Sequence, residues 1–116
     1  MENLKTEKFK EKIFNFIDNT EWNFIGNKPV IIDFYTDWCS PCKRVAPILE
    51  ELSTEYLSID FYKVNAENEN ELATFFHIKS VPSILFIPLT GTPQMVVGGV
   101  PKGILKEKIK NIFNID

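Results

Sequence analysis

At 116 residues the chain has the length of one domain, taken as residues 1–116, which excludes a multi-domain machine. A composition of 44% hydrophobic and 25% charged residues, with ten Phe, belongs to a chain that buries a core and excludes extended disorder. Thirteen Lys and Arg against sixteen Asp and Glu give a net charge of −3, without the basic excess that a phosphate backbone demands, which argues against nucleic acid as a partner.

The stretch Met1 to Lys8 alternates charges where a secretory signal needs a continuous apolar segment, so the expected location is the cytoplasm. A leader removed ahead of Met1 would leave no trace in this numbering. Residues Thr6 to Asn19 read as a helix, because Phe9, Ile13, Phe16 and Ile17 recur at helical spacing among Lys, Glu and Asn. Asn27-Lys28-Pro29 breaks that pattern. Val30 to Tyr35 follows as a near-continuous apolar, β-branched run, predicting a central strand covered on both faces and parallel to a neighbour. From Ser40, Val45, Ile48, Leu49, Leu52 and Tyr56 lie on one helical stripe, with Pro47 expected to kink it.

Ile59 to Val64 reads as the next strand and Asn68 to His77 as the next helix, with Asn68 as its cap and Leu72, Phe75 and Phe76 facing inward. Ser83 to Ile87 is a further strand, and the turn Thr90-Gly91-Thr92-Pro93 leads to Met95-Val96-Val97 as an antiparallel hairpin. Pro101 suits the first turn of a last helix whose Ile104, Leu105, Ile109, Ile112 and Phe113 form an apolar face opposite a solvated run of lysines. This alternation implies an α/β sheet with helices on both faces. The longest apolar runs, Val30 to Ile32 and Ile84 to Ile87, fall far short of the roughly 18 residues that a membrane crossing needs.

The only cysteines, Cys39 and Cys42, stand at i and i+3, after a buried strand and at the start of a helix, on one face and within disulfide reach. Free N–H groups and the positive end of the helix dipole stabilise an anion there, which makes Cys39 the nucleophile and Cys42 the resolving thiol. Pro41 stiffens the ring without spoiling the helix. A permanent disulfide, inert thiols or half of a zinc site are the alternatives. Zinc needs about four ligands, and the chain adds only His77, read as a helix-end or surface residue, so no metal is expected. Asp33 is anomalous in its apolar run: buried, it has a raised pKa suited to proton exchange with a thiol, and otherwise it is a solvated edge carboxylate.

The segment VIIDFYTDWCSPCKR, Val30 to Arg44, resembles the active-site segment of the thioredoxin family. The resemblance continues through Lys63-Val64-Asn65, Val81-Pro82-Ser83 and Val97-Gly98-Gly99 and covers about Val30 to Ile112, the first 29 residues matching loosely. It implies the thioredoxin fold, a central mixed sheet of four to five strands flanked by helices on both faces. By the same resemblance Asp33 lies beneath the cysteines with Lys63 beside it. Val81-Pro82 forms a cis-proline loop facing them, and Trp38, Pro41, Val81, Pro82 and Gly98 receive an extended substrate chain.

The implied activity is protein-disulfide reduction, with Cys39, Cys42, Asp33 and Lys63 as the catalytic set. No cofactor is held by the chain itself, an NADPH-dependent, flavin-containing thioredoxin reductase restores the dithiol, and the chain acts as a monomer in electron transport. One departure stands out: Ser40 replaces the family's usual glycine after the first cysteine, which bears on reduction potential and partner choice. Pro41, in place of a histidine before Cys42, argues against the oxidising and isomerising branches. The alternatives are a thioredoxin-like binding module with incidental cysteines, and a specialised oxidase or isomerase.

Overall fold

The computed structural model describes all residues from Met1 to Asp116. Its centre is β2 (Val30–Tyr35), hydrogen-bonded in parallel to β3 (Asp60–Asn65) and antiparallel to β4 (Ser83–Ile87). The hairpin partner β5 (Gln94–Val97) pairs antiparallel to β4, and a short β1 (Glu2–Asn3) adds in parallel to β3, giving a five-stranded mixed sheet ordered β1-β3-β2-β4-β5.

Side chains alternate along β2, so the strand feeds two cores. Ile32 and Phe34 join Val64 and Leu85 on the side covered by α1 (Thr6–Lys12) and α3 (Asn70–Phe75). Ile31 joins Phe61, Ile84 and Phe86 under α2 (Ser40–Glu55) and α4 (Lys102–Phe113), which contribute Leu49, Leu52, Leu105 and Ile109. Asp33, on the same side as Ile31, is therefore carried under the start of α2. No helix is long and apolar enough to cross a membrane.

The first helix is shorter than its apolar period predicts. It ends at Lys12, and Ile13 takes φ −120°, ψ −62°. Beyond it the Asn15 side-chain carbonyl accepts from the N–H groups of Ile17 and Asp18, a local turn that competes with helix continuation. Phe16 still reaches the core by stacking on Phe75 at 4.7 Å, while Ile17 is left exposed. The third helix is also shorter than predicted and starts at Asn70. Asn65, not Asn68, supplies the side-chain oxygen at this corner, accepting from Glu67 and Asn68 N–H.

The strand predicted as Ile59 to Val64 is observed one residue later. Helix α2 runs on through Pro47, and Pro101 caps α4 from just outside it. Ile104, expected on the apolar face of α4, is exposed, whereas Leu105 and Ile109 are fully buried. Strand β1 carries no apolar alternation and forms because the edge of β3 accepts it, with Leu4 N–H continuing the ladder onto Lys63 O at 2.8 Å.

Phe86 is fully buried and lies 5.9 Å, ring to ring, from Phe113 of α4. Phe86→Ala is expected to cost about 3–5 kcal/mol of stability, read from urea unfolding at neutral pH, through lost transfer energy and the cavity left behind.

Candidate functional site

Strand β2 ends at Tyr35, and four residues later the chain enters α2 with Cys39 as its N-cap. Cys39 Sγ accepts from the backbone N–H of Cys42 at 3.1 Å, so a sulfur occupies the place where a capping oxygen usually sits. Pro41 lies in the first turn, where its missing N–H costs nothing. Cys39 and Cys42 are joined as a disulfide with their Cα atoms 5.2 Å apart. The two sulfurs differ in access: Cys42 is buried and Cys39 is partly exposed.

A loop from another part of the chain meets Cys39. Its Sγ lies 3.7 Å from the carbonyl oxygen of Val81, and the Val81-Pro82 peptide bond is cis. The Pro82 carbonyl in turn accepts from Gly98 N–H at 2.8 Å, tying the loop to the end of β5. Gly98 adopts φ +99°, a conformation that a side chain would strain. Gly99, which the sequence offers only as part of Val97-Gly98-Gly99 and without a site role, sits against Pro41: a Cβ there would be 3.6 Å from the Pro41 Cβ. Pro41, Val81, Pro82, Gly98 and Gly99 are thus gathered around Cys39, with Trp38 beside it 73% exposed. Ser40, the departure from the family pattern, opens α2 and faces solvent.

Beneath the disulfide a cleft of about 220 Å³ is lined by Asp33, Cys42, Lys63, Tyr35, Asp37 and Lys43, among others. Asp33 is only 1% exposed and its Oδ1 has no hydrogen-bond partner. Burial pushes its pKa up to about 7 from an ordinary 3.8, with Lys63, its register partner on β3, pulling the other way. Asp33 and Cys42 thus share one cleft, and a proton acceptor that titrates near neutrality stands on the side of the buried sulfur. His77 lies apart from this assembly, exposed at the end of α3 with φ +55°. Tyr35 and Asp37 also went unremarked in the sequence. The available signal for Tyr35 was its i+2 position from Asp33, which puts both on one face of β2.

The sequence model of the thioredoxin family matches residues 2–111. A thioredoxin of Borreliella burgdorferi is 43% identical over 111 residues, covering 95% of each chain. The chain belongs to the thioredoxin family. A thioredoxin of Mycoplasmoides gallisepticum is 37% identical over 84 residues, covering 72% of this chain and 84% of that one. The oxidised form of mitochondrial thioredoxin 3 of Saccharomyces cerevisiae superposes with a TM-score of 0.74 at 24% identity, over 96% of this chain and 94% of that one. The thioredoxin fold expected from the sequence is therefore observed, including the fifth strand.

With its Cys39–Cys42 pair at the family's redox centre, this thioredoxin-family chain is a thiol-disulfide oxidoreductase and a protein-disulfide reductase. Family membership gives it disulfide substrates and a reductase as partners.

Because the folded chain holds the Asp33 proton up to about pH 7 and the unfolded chain releases it near 3.8, protonated Asp33 favours folding. That stabilisation is complete below about pH 4 and is lost as pH rises through 7. It amounts to about 4 kcal/mol, set by the cost of a buried carboxylate charge. Asp33→Asn is expected to be more stable than the parent at pH 8 by a few kcal/mol, and to show a much smaller difference at pH 4. Urea unfolding of the oxidised proteins across this range checks the sign, and equal stabilities at pH 8 would contradict it.

Proposed function

We propose that the chain reduces protein disulfides by a two-step exchange in which Cys39 attacks and Cys42 resolves. The observation that carries this reading is the asymmetric pair, with an accessible sulfur at the N-terminus of α2 and a buried one over the Asp33 cleft.

In the dithiol form the Cys39 thiolate is stabilised by the N–H of Cys42 and by the positive end of the helix. It attacks one sulfur of a substrate disulfide; that S–S bond breaks, a Cys39–substrate disulfide forms, and the other substrate sulfur leaves as a thiolate that takes a proton from water. The Asp33 carboxylate then accepts the Cys42 proton. Cys42 sulfur attacks Cys39 Sγ and releases the second substrate thiolate, which Asp33 reprotonates through the cleft. Two electrons pass from the dithiol to the substrate, and the Cys39–Cys42 disulfide remains.

Lys63 is assigned the role of keeping the Asp33 titration near neutrality against its burial. Trp38, Pro41, Val81, Pro82 and Gly98 form the surface on which an extended substrate strand lies, mostly apolar and therefore tolerant of sequence. The finer assignments belong to the same proposal. A dithiol carrier works where the thiol pool is reduced, which we take to be the cytoplasm, as a monomer in an electron-transport chain fed by an NADPH-dependent thioredoxin reductase.

Dithiothreitol-driven reduction of insulin tests the scheme. Cys39→Ser is expected to fall to the uncatalysed rate. Cys42→Ser is expected to lose turnover and to accumulate substrate adducts that dithiothreitol releases. A folded parent protein with no catalysis would sink the reductase assignment in favour of a binding module.

A further inference from the structure

The Asp33 side of the cleft has an aromatic wall that the reaction scheme leaves without a role. Tyr35 stands two residues after Asp33 on β2, so both side chains emerge on the same face of the sheet. Its hydroxyl donates to Asn3 Oδ1 at 3.0 Å. Asn3 belongs to β1, and β3 lies between β1 and β2. Two strand spacings separate these backbones by roughly 10 Å, so the Tyr35 side chain has to lie across β3 to make that bond.

The residue of β3 in register with Asn3 is Lys63, which is also in register with Asp33. The Lys63 ammonium sits over the Tyr35 ring, 5.8 Å from its centroid, within cation–π range. A lysine on a strand near a sheet edge would ordinarily extend into water, where its charge is screened from a buried carboxylate.

We propose that Tyr35 is a positioning residue for the proton-transfer step, its ring holding the Lys63 ammonium at the cleft that Asp33 and Cys42 share. The groups facing Asp33 support this division of labour. Lys63 comes from β3, Tyr35 and Asp37 from the end of β2 and the turn after it, and Cys42 and Lys43 from α2. Of the charged groups among them, Lys63 is the one that acts on the Asp33 titration, lowering it against burial. Fixing that cation fixes the proton affinity of the carboxylate. The proposal rests on the role given to Asp33 above.

The test is the pH midpoint of Asp33 in the oxidised protein, read from its carboxyl carbon by NMR, where neither cysteine titrates. Tyr35→Leu is expected to free Lys63 and move the midpoint to higher pH, lowering the ionised fraction of Asp33 at pH 7 about two- to threefold. Tyr35→Phe and Tyr35→Trp keep an aromatic face and are expected to retain the parent midpoint. Lys63→Met raises the midpoint by itself, and adding Tyr35→Leu to it is expected to do nothing more.

A Tyr35→Leu shift of full size in the Lys63→Met background would overturn the proposal, because the ring would then be acting by excluding water. So would an unshifted Tyr35→Leu, or a Tyr35→Phe that shifts as far as Tyr35→Leu. Should Tyr35→Leu not fold, Tyr35→Met, unbranched and of similar reach, makes the same comparison. The midpoint is read without substrate, so its outcome is separable from whether Asp33 serves in catalysis.

Discussion

The backbone of β2 is paired to β3 on one side and β4 on the other, and its faces are covered by two helix layers, so the chain leaves Tyr35 in a fixed place and direction. The turn from Thr36 to Trp38 then has little freedom, and α2 must begin with Cys39 above the end of the sheet. Because β4 is the other neighbour of β2, the loop just before β4 is delivered to the same end. Val81 O therefore meets Cys39 Sγ although the two residues are 42 positions apart. The redox centre is a consequence of how one strand is buried.

The same burial makes the centre costly. A carboxylic acid in the middle of an apolar strand has one oxygen without a partner and gives up charge to remain there. The fold tolerates this because both clusters around β2 are closely filled, with Phe34, Leu49, Leu72 and Phe86 fully buried. Exposed ion pairs do not offset it: Lys102 with Glu51 and Glu55 joins α4 to α2 in water, where screening leaves such pairs little influence. The contact between those helices is decided by Leu49, Leu52, Leu105 and Ile109 beneath the charges. Stability comes from the apolar layers, and part of it is spent on a group that exchanges protons near neutral pH.

Aromatic residues show how far a periodic pattern carries. Phe9, Phe16, Phe75 and Phe76 fall at helical spacing and do meet, with Phe9 edge-on to Phe76 at 5.6 Å and Phe75 to Phe76 at 4.8 Å. Yet Phe16 arrives there from a turn and not from a helix, because Asn15 offers its side-chain oxygen to the backbone that a helix would have used. Apolar spacing identified which residues are buried more securely than it identified the backbone that presents them. At the corner before α3 the competition ran between Asn68 and Asn65, and the residue anchored at the end of a strand supplied the side-chain oxygen, to the turn N–H groups of Glu67 and Asn68, while α3 itself begins without a side-chain cap.

Much of the site was legible in the primary structure because its parts are local. A buried strand, a Cys-X-X-Cys pair at a helix start and an acid out of place in an apolar run are patterns within a few residues, governed by side-chain alternation and helix-end electrostatics. The family resemblance extended that reading to Lys63 and the Val81-Pro82 loop. Only the tertiary structure decided the rest. A cis X-Pro bond is a minority state with no local mark, the union of Gly99 with Pro41 joins residues half the chain apart, and the path of Tyr35 across β3 depends on a two-residue strand with no apolar pattern. Contacts of this kind arise from which strands the sheet sets side by side, and that order is not written in the spacing of any one segment.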